Sequence, residues 1–304
     1  MPVSVLILTL NEEANLPRCL ESVGWCDDVV VVDSGSTDRT QEIARDAGAR
    51  VLVNPFESFA AQQNWALDHA GFRHRWVFYL DADERMTPGL RAEIERVAAD
   101  PSEPRVAFYV GRKNYFRGRW LRRAMPPGSI LRLFRTEGVR FVQRGHGPEP
   151  RFEGPHGYLT EYFEHDNFSK GVGEWFRRHE RYARQEAVQA VAELERGGAG
   201  VGGLFSGDRA TRRRALKNLS WRLPARPVLK FVYMYVLRLG VLDGRPGLDY
   251  CVMQAMYEQM IVLNVREQRS AGARAPTREG AGSSRVDGRA AAGDACPDAG
   301  RRAR

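Results

Sequence analysis

Cysteine is scarce in these 304 residues: Cys19, Cys26, Cys251 and Cys296 are widely spaced and form no CxxC pair. That excludes a disulfide framework and a zinc–thiolate site, and it fits a reducing cytoplasm. No G-x-G-x-x-G follows either of the first two apolar stretches, which disfavours a dinucleotide-binding Rossmann site. Clean transmembrane runs are also missing. VLKFVYMYVLRLGVL at Val228–Leu242 is interrupted by Lys230 and Arg238, and the apolar stretch Tyr250–Val265 contains Glu258. Fifteen helical residues span roughly 22 Å, short of the roughly 30 Å of a hydrocarbon core. The opening MPVSVLILTLNEE has no basic n-region and runs straight into acids. It reads as a first β-strand and not as a signal peptide. No internal repeat is present.

The charge that is present is unevenly spread. Met1–Pro104 holds nine basic and eighteen acidic residues, whereas Arg112–Arg144 holds ten basic residues and one acid. Arg209–Lys230 adds eight basic residues and no acid. An acidic half followed by separate basic patches argues against nucleic acid as a partner, which would call for one continuous basic face. It suits a site that takes a metal first and anionic groups second.

The first hundred residues alternate strand and helix. Strands are predicted at Val3–Leu8, Val29–Val32, Val51–Val53 and Trp76–Leu80. Helices are predicted at Asn15–Val23 with Asn15 as cap, at Asp38–Ala47 ending at Gly48, at Phe59–Ala70 and at Pro88–Ala99. This order predicts a parallel sheet with helices on both faces and ligands beyond the carboxyl ends of the strands. From Arg105 to about Glu164 short mixed strands alternate with Gly and Pro turns. Gly173–Arg196 is a long amphipathic helix, GGAGVGG at Gly197–Gly203 is a break, and a basic, apolar, Pro-punctuated segment follows to Val265. The last stretch is rich in Ala, Gly and Arg and is expected to be disordered.

The strongest chemical signal is Leu80-Asp81-Ala82-Asp83-Glu84, directly after the apolar strand WVFYL. Two carboxylates two residues apart at a strand end suit Mg²⁺ or Mn²⁺ shared with a diphosphate, because such ions prefer oxygen ligands and take few from protein. A leaving nucleoside diphosphate gains charge that a metal stabilises. The first strand ends in Thr9-Leu10-Asn11-Glu12-Glu13 and the second in Asp33-Ser34-Gly35-Ser36-Thr37-Asp38. An acid at such a place accepts hydrogen bonds from a ribose or base edge. Helix capping is an equally good role for Asp38. Arg132, Arg135 and Lys170 are candidates to hold phosphates, the arginines through bidentate pairing. For the arginines of ILRLFR, a solvent-facing side of a half-buried strand is the bland alternative.

TLNEE, VVDSGSTD, QQNWAL at Gln62–Leu67 and LDADE, in this order and spacing, resemble the inverting family 2 glycosyltransferases of GT-A fold. RLFR at Arg132–Arg135, HGPE at His146–Glu149 and HDNFSKG at His165–Gly171 resemble the bacterial branch that builds lipopolysaccharide core and related envelope polysaccharides. The resemblance implies an α/β fold: a Rossmann-like mixed sheet flanked by helices and followed by C-terminal amphipathic helices. It implies a catalytic domain over 1–170, with a nucleotide-binding half to 104 and an acceptor half from 105. A helical, membrane-associated segment then covers 171–268 and a disordered tail 269–304. It also implies a nucleotide-sugar donor, a Mg²⁺ or Mn²⁺ ion and inversion at the anomeric carbon. By position, Thr9, Asn11, Glu12 and Asp33 would line the nucleoside pocket, with Gln62 and Asn64 reaching the ribose or phosphates. Asp81 would lie near ribose and metal, Asp83 would be the principal metal ligand, and His165 an additional one. An inverting transfer needs a base for the acceptor hydroxyl. Glu149 takes that role, with Asp166 and Glu153 behind it, although this chain has His146-Gly147-Pro148-Glu149 where related sequences have an adjacent His-Glu pair.

Two segments, Val228–Leu242 and Tyr250–Val265, are expected to lie in a membrane interface, their basic neighbours meeting anionic headgroups. The alternative is that they pack as a core. The resulting expectation is a cytoplasmic enzyme, peripheral on the inner membrane, acting on a lipid-linked or polysaccharide acceptor. Two other readings remain: a non-catalytic membrane scaffold of the same fold, and a sugar nucleotidyltransferase, which would need a Gly-rich, Arg-containing loop where TLNEE stands. A haloacid-type phosphatase would carry its D-x-D after the first strand, not the fourth.

Overall fold

The computed structural model describes residues 3–144, 147–195, 201–208, 211, 212, 215 and 225–274. Apolar runs of four to seven residues form the central strands β1 (Val3–Thr9), β2 (Val29–Asp33), β3 (Arg50–Val53) and β4 (Trp76–Asp81). These four lie parallel in the order β3-β2-β1-β4. Period-2 alternation divides their side chains between two cores. Val3, Val5 and Ile7 pack on one face with Leu16, Leu20, Leu90 and Ile94. Leu6, Val30 and Val32 pack on the other with Ala60 and Ala66. The helices supplying these contacts are α1 (Leu16–Ser22), α3 (Phe59–His69) and α4 (Pro88–Ala99), while α2 (Thr40–Asp46) joins β2 to β3. Helices therefore cover both faces, as the strand–helix alternation requires.

Local signals explain the helix ends. Ser58 Oγ accepts from Ala61 N and Thr87 Oγ1 from Leu90 N, each satisfying a free amide of the first turn. Gly48, at φ +79°, closes the turn after α2. Asn15 stands at the N-cap of α1 but does not cap it; its side-chain amide donates to Glu12 Oε2 at 2.7 Å. Asp38 meets the start of α2 from outside: its Oδ1 accepts from Thr40 N at 3.0 Å.

Beyond β4 the sheet becomes mixed. Its remaining strands are β5 (Glu84–Arg85), β6 (Ala107–Phe116), β7 (Arg119–Trp120), β8 (Ser129–Arg135) and β11 (His156–His165). β8 runs antiparallel to β4 and to β6, and β11 is parallel to β6 and antiparallel to β5. Glycine permits one crowded approach here: a Cβ on Gly111 would collide with the Tyr162 ring. β9 (Arg140–Arg144) and β10 (Gly147–Arg151) form a separate two-stranded hairpin against α3. The result is the mixed α/β sheet flanked by helices that the resemblance implied. His146, in the HGPE motif, lies outside the described residues, as does the break at Gly197–Gly203 up to residue 200; its last three residues open a 3₁₀ turn, Val201–Phe205.

The C-terminal part is helical. α5 (Gly171–Glu195) buries Trp175, Ala183, Ala187 and Ala190 along one stripe. α6 (Arg226–Val232) leads through a π turn and a 3₁₀ turn into α7 (Gly244–Arg274). The two apolar segments take different roles. In Tyr250–Val265, the side chains of Tyr250, Cys251, Met253, Ile261 and Val265 are buried against α5 and the sheet, so its apolar stripe is core. Glu258 is paired there with Arg226 at 2.8 Å. Much of Val228–Leu242 is exposed. The expected disordered tail from 269 is helical as far as Arg274, and the rest of it lies outside the described residues.

Candidate active site

The parallel strands bring three of the sequence motifs to one sheet edge. Register places Thr9 beside Asp33 and Leu8 beside Asp81. Two strand spacings separate β2 from β4, about 10 Å. The long strand β11 delivers His165 beside Glu84, next to the end of β4. Each motif ends a buried strand whose last side chains leave the core.

On the β1–β2 side the polar groups bond mainly to one another. Asp33 Oδ1 accepts from Gly35 N, Ser36 N and Gln41 Nε2, and Oδ2 accepts from Thr9 Oγ1 at 2.9 Å and from Ser36 Oγ. Burial pushes the Asp33 carboxyl up, but the donors from Ser36, Thr9 and Gln41 outweigh it and hold it below the usual carboxylate range. Asn11 adopts a left-handed φ of 55°, and its Oδ1 accepts from Thr37 N at 2.8 Å. Lys170, just before α5, donates to Asn11 O and to Glu12 Oε1. Burial raises the Glu12 pKa against the opposing pull of Lys170 and Asn15. A phosphate reaching Lys170 would compete with Glu12 for its ammonium.

The α3 residues do something other than expected. Gln62 is buried. Its Nε2 donates to Ser34 Oγ and Asn54 O, and its Oε1 accepts from Asn54. These bonds to Ser34 and Asn54 brace the β2 loop. Asn64 forms a two-way clasp with the Phe141 backbone of β9, donating through Nδ2 at 2.8 Å and accepting through Oδ1 at 2.9 Å. That engagement takes it away from a ribose or phosphate.

On the β4 side Asp81 and Asp83 diverge. Asp81 Oδ2 accepts from Arg132 Nη2 at 2.8 Å and Oδ1 accepts from the Tyr79 hydroxyl. Asp83 Oδ2 lies 3.3 Å from His165 Nε2. Nδ1 of His165 is 2.9 Å from Asn114 Oδ1, and this contact turns the ring so that Nε2 is directed at the carboxylate. Burial pushes Asp83 up, while His165, with Arg178 and Arg112, outweighs it and holds Asp83 low and charged. Among the described residues no group of three or more His, Cys, Asp or Glu side chains makes a metal cage. The donor set is a carboxylate and an imidazole with a second carboxylate two residues away. It fits Mg²⁺ or Mn²⁺, which leave most positions to phosphate oxygens and water.

Arg132 is not placed to hold a phosphate. It is buried, donates from Nη2 to both Asp81 and Glu84, and its guanidinium lies 4.4 Å from the Tyr79 ring centre. Its Nε and Nη1 have no hydrogen-bond partner among the described residues, and the guanidinium also lies 5.0 Å from the Phe163 ring centre. Glu84 is fully buried, and burial raises its pKa against the pull of Arg132. Arg135 is at the far end of the sheet: it pairs with Trp76, the first residue of β4, and donates to Glu103 O. Five strand residues, roughly 16 Å, separate that level from Asp81.

The two candidate bases differ in surroundings. Glu149, on the β9–β10 hairpin, is bound by Arg144 at 2.9 Å and Arg151 at 3.1 Å. The Arg144 hydrogen bond and the Arg151 charge hold its pKa low, which weakens a base. Asp166 follows His165, and its N–H donates to Asp83 O at 3.0 Å. Glu153, the third choice, is exposed on the loop after β10. Sequence reasoning missed Asn114 and Arg178. Asn114 stands in no motif, and Arg178 lies in the stretch WFRRHERYARQEA, which by itself gives that arginine no role; the pairing of β6 with β11 and the fold of α5 bring them to the site.

Comparison with known proteins supplies the family. Residues 4–148 match the family model described as Glycosyl transferase family 2. The lipopolysaccharide core biosynthesis glycosyltransferase LpsC of Rhizobium meliloti is 38% identical over 152 residues, covering 48% of this chain and 53% of LpsC. The uncharacterized glycosyltransferase RT0209 of Rickettsia typhi is 34% identical over 143 residues, 46% of this chain and 48% of that protein. The matched region thus spans about half the length of these curated relatives. Among solved structures, S. aureus TarS 1-349 in complex with UDP covers 92% of this chain and 93% of its own, at 16% identity and a TM-score of 0.41. Glucosyl-3-phosphoglycerate synthase from Mycobacterium tuberculosis, in complex with Mn²⁺, UDP and glucosyl-3-phosphoglycerate, is 24% identical. It covers 38% of this chain and 44% of that one, at a TM-score of 0.29. Both TM-scores fall below 0.5, so the assignment rests on the sequence match. Residues 4–148, just under half of the chain, thus belong to glycosyl transferase family 2.

Proposed function

We propose that this chain transfers a sugar, with inversion, from a nucleoside-diphosphate donor to a lipid-linked or polysaccharide acceptor of the bacterial envelope. The observation that carries the reading is the Asp83–His165 pair at the strand ends, on the same sheet edge as the Thr9–Asp33 loops. In this reading the nucleoside rests against the loops after β1 and β2, whose shape Asp33, Asn11 and Gln62 maintain. Thr9 and Glu12 line its pocket and Asp81 faces the ribose. Asp83 and His165 would hold Mg²⁺ or Mn²⁺, which supplies charge stabilisation to the departing diphosphate. Lys170 exchanges Glu12 for a phosphate oxygen.

The acceptor oxygen attacks the anomeric carbon as its bond to the diphosphate breaks, and the acceptor proton passes to a carboxylate. Asp166 is the base we favour: among the described residues no group donates to its carboxylate, and it adjoins the metal pair. Glu149, held by two arginines, is the alternative. An envelope acceptor is supported by the 38% identity to LpsC, a lipopolysaccharide core enzyme by name. No described helix is long and apolar enough to cross a membrane. In this reading the enzyme meets such an acceptor at the inner face of the membrane, from the cytoplasmic side.

Calorimetric titration with UDP, GDP, CMP and dTDP, each with and without Mn²⁺, tests the donor site. Binding of one diphosphate that requires metal supports it and names the nucleotide. A folded protein that binds none of them brings the non-catalytic scaffold forward.

A further inference from the structure

Nine large apolar side chains are exposed within the fifteen residues Val228–Leu242, about half of all those exposed among the described residues. Leu237 is 71% exposed and Leu242 59%. So dense a patch on a folded surface marks an interaction site. The turn that follows is locked against the catalytic sheet. Asp243 is buried, and its carboxylate accepts from the backbone N–H groups of Arg122, Arg123 and Ala124 at 3.2, 2.9 and 2.7 Å. Arg119 donates to Leu242 O at 3.2 Å. Between these two segments lies an open cleft of about 500 Å³ lined by Arg119, Trp120, Arg122, Arg123, Leu242 and Asp243. The Arg122 guanidinium lies 4.4 Å from the Trp120 ring centre.

The nearby acids are already committed. Asp243 serves the three amides, Asp249 binds Arg117 and Arg245, and Glu258 binds Arg226. The surface therefore presents leucines and valines rimmed by exposed Arg119, Arg122 and Arg123, with Trp120 at the junction. A second copy docked symmetrically through this face would set one basic rim against another. An anionic leaflet meets both halves of it: headgroup phosphates the arginines, and the acyl boundary the leucines.

The geometry points to a membrane-docking surface built jointly by the β7–β8 connection and the Val228–Leu242 turn, whose partner is an anionic lipid bilayer. This deepens the reading above, in which the acceptor is membrane-held, and adds a part of the catalytic sheet to the anchor. Because Asp243 fixes the two segments together, docking sets the orientation of the sheet toward the leaflet.

Co-sedimentation with vesicles of phosphatidylglycerol and phosphatidylcholine, against phosphatidylcholine alone, tests it on the full chain. Wild type is expected to bind the anionic vesicles and to be released by salt. Each basic residue near a charged surface strengthens partition roughly fivefold, so Arg122→Gln with Arg123→Gln should weaken binding roughly 25-fold. Leu237→Asp with Leu242→Asp should abolish it. Circular dichroism melting and UDP binding by calorimetry check that the variants stay folded and keep the donor site. The proposal is overturned by wild type remaining in the supernatant, by equal binding to both vesicle types, or by well-folded variants that sediment as wild type does. A concentration-dependent dimer, lost in the leucine variant while vesicles are ignored, would also overturn it and assign the face to a second copy. Vesicle binding without nucleotide binding would leave the docking surface standing and remove the transferase reading; the reverse would do the opposite.

Discussion

His165 Nε2 stands 3.3 Å from Asp83 Oδ2, and nothing in local sequence spacing relates the two. β11 brings the histidine back to the end of β4, and Asn114 on β6 turns its ring. Three strands thus converge on one candidate metal position, and its properties are open to mutation.

Asp83→Ala should abolish metal-dependent nucleotide binding without unfolding the chain, because Asp83 follows the last core residue of β4. Asn114→Ala should weaken Mn²⁺ binding about 10–100-fold, the usual cost of losing the group that orients a ligating histidine. Mn²⁺ titration followed by electron paramagnetic resonance reads this directly. Unchanged affinity in Asn114→Ala, with the melting temperature preserved, would remove the orienting role.

Arg132→Met should destabilise the fold by about 3–5 kcal/mol, because it strands the buried Glu84 carboxyl. Pairing it with Glu84→Leu should restore much of the loss, since an apolar pair of similar volume needs no partner. Urea denaturation of both single variants and the double variant gives the coupling. A phosphate-binding role would look different: an unchanged urea midpoint and a raised KM for the donor.

Much of this arrangement is legible in the sequence, and the boundary has a physical basis. Strands such as Val29–Asp33 are buried on both faces and read as unbroken apolar runs, and Pro88 and Gly48 mark helix ends through their own dihedral preferences. The acids after β4 stand out because charge directly after a buried strand is unusual. The place of Arg132 is not legible in the sequence, because its alternation in ILRLFR is the same whether its face meets solvent or a buried carboxylate. Only the pairing of β8 with β4 and β6 decides that. Gln62 and Asn64 have the same difficulty, since a helix period does not tell which polar residue meets a neighbouring backbone. Tyr250–Val265 reads as apolar whether it faces lipid or α5, and Ile261 and Val265 pack with the α5 alanines.

Glu149→Gln should keep both nucleotide binding and sugar transfer near wild type, because Arg144 and Arg151 already engage that carboxylate and lower its basicity. Asp166→Asn should keep nucleotide binding and lower kcat by about 10²-fold or more. Single-turnover transfer assays on both variants separate them. If Glu149→Gln is the one that loses transfer, the β9–β10 hairpin carries the base and must approach the acceptor in the bound state.

Asp28 anchors the opposite end of the sheet. Its buried carboxylate accepts from Ser4 Oγ, from Arg73 N at 2.8 Å, and from Arg50 Nε and Nη2 at 3.0 and 2.7 Å. Burial pushes the Asp28 pKa up, but Ser4, the Arg73 amide and Arg50 outweigh it and hold it below the ordinary value. A carboxyl more acidic in the folded state stabilises that state above the unfolded pKa, about 3.9, and the contribution disappears as pH falls through the folded value. Asp28→Asn should therefore cost about 2 kcal/mol near neutral pH, reduced from a fully buried pair because Arg50 is partly solvated. The gap between variant and wild type should narrow as pH drops below about 4. Urea unfolding at pH 7, 5 and 3.5 measures it. A gap that stays constant across that range would mean that the lost stability comes from shape and neutral hydrogen bonds, not from the charge on Asp28.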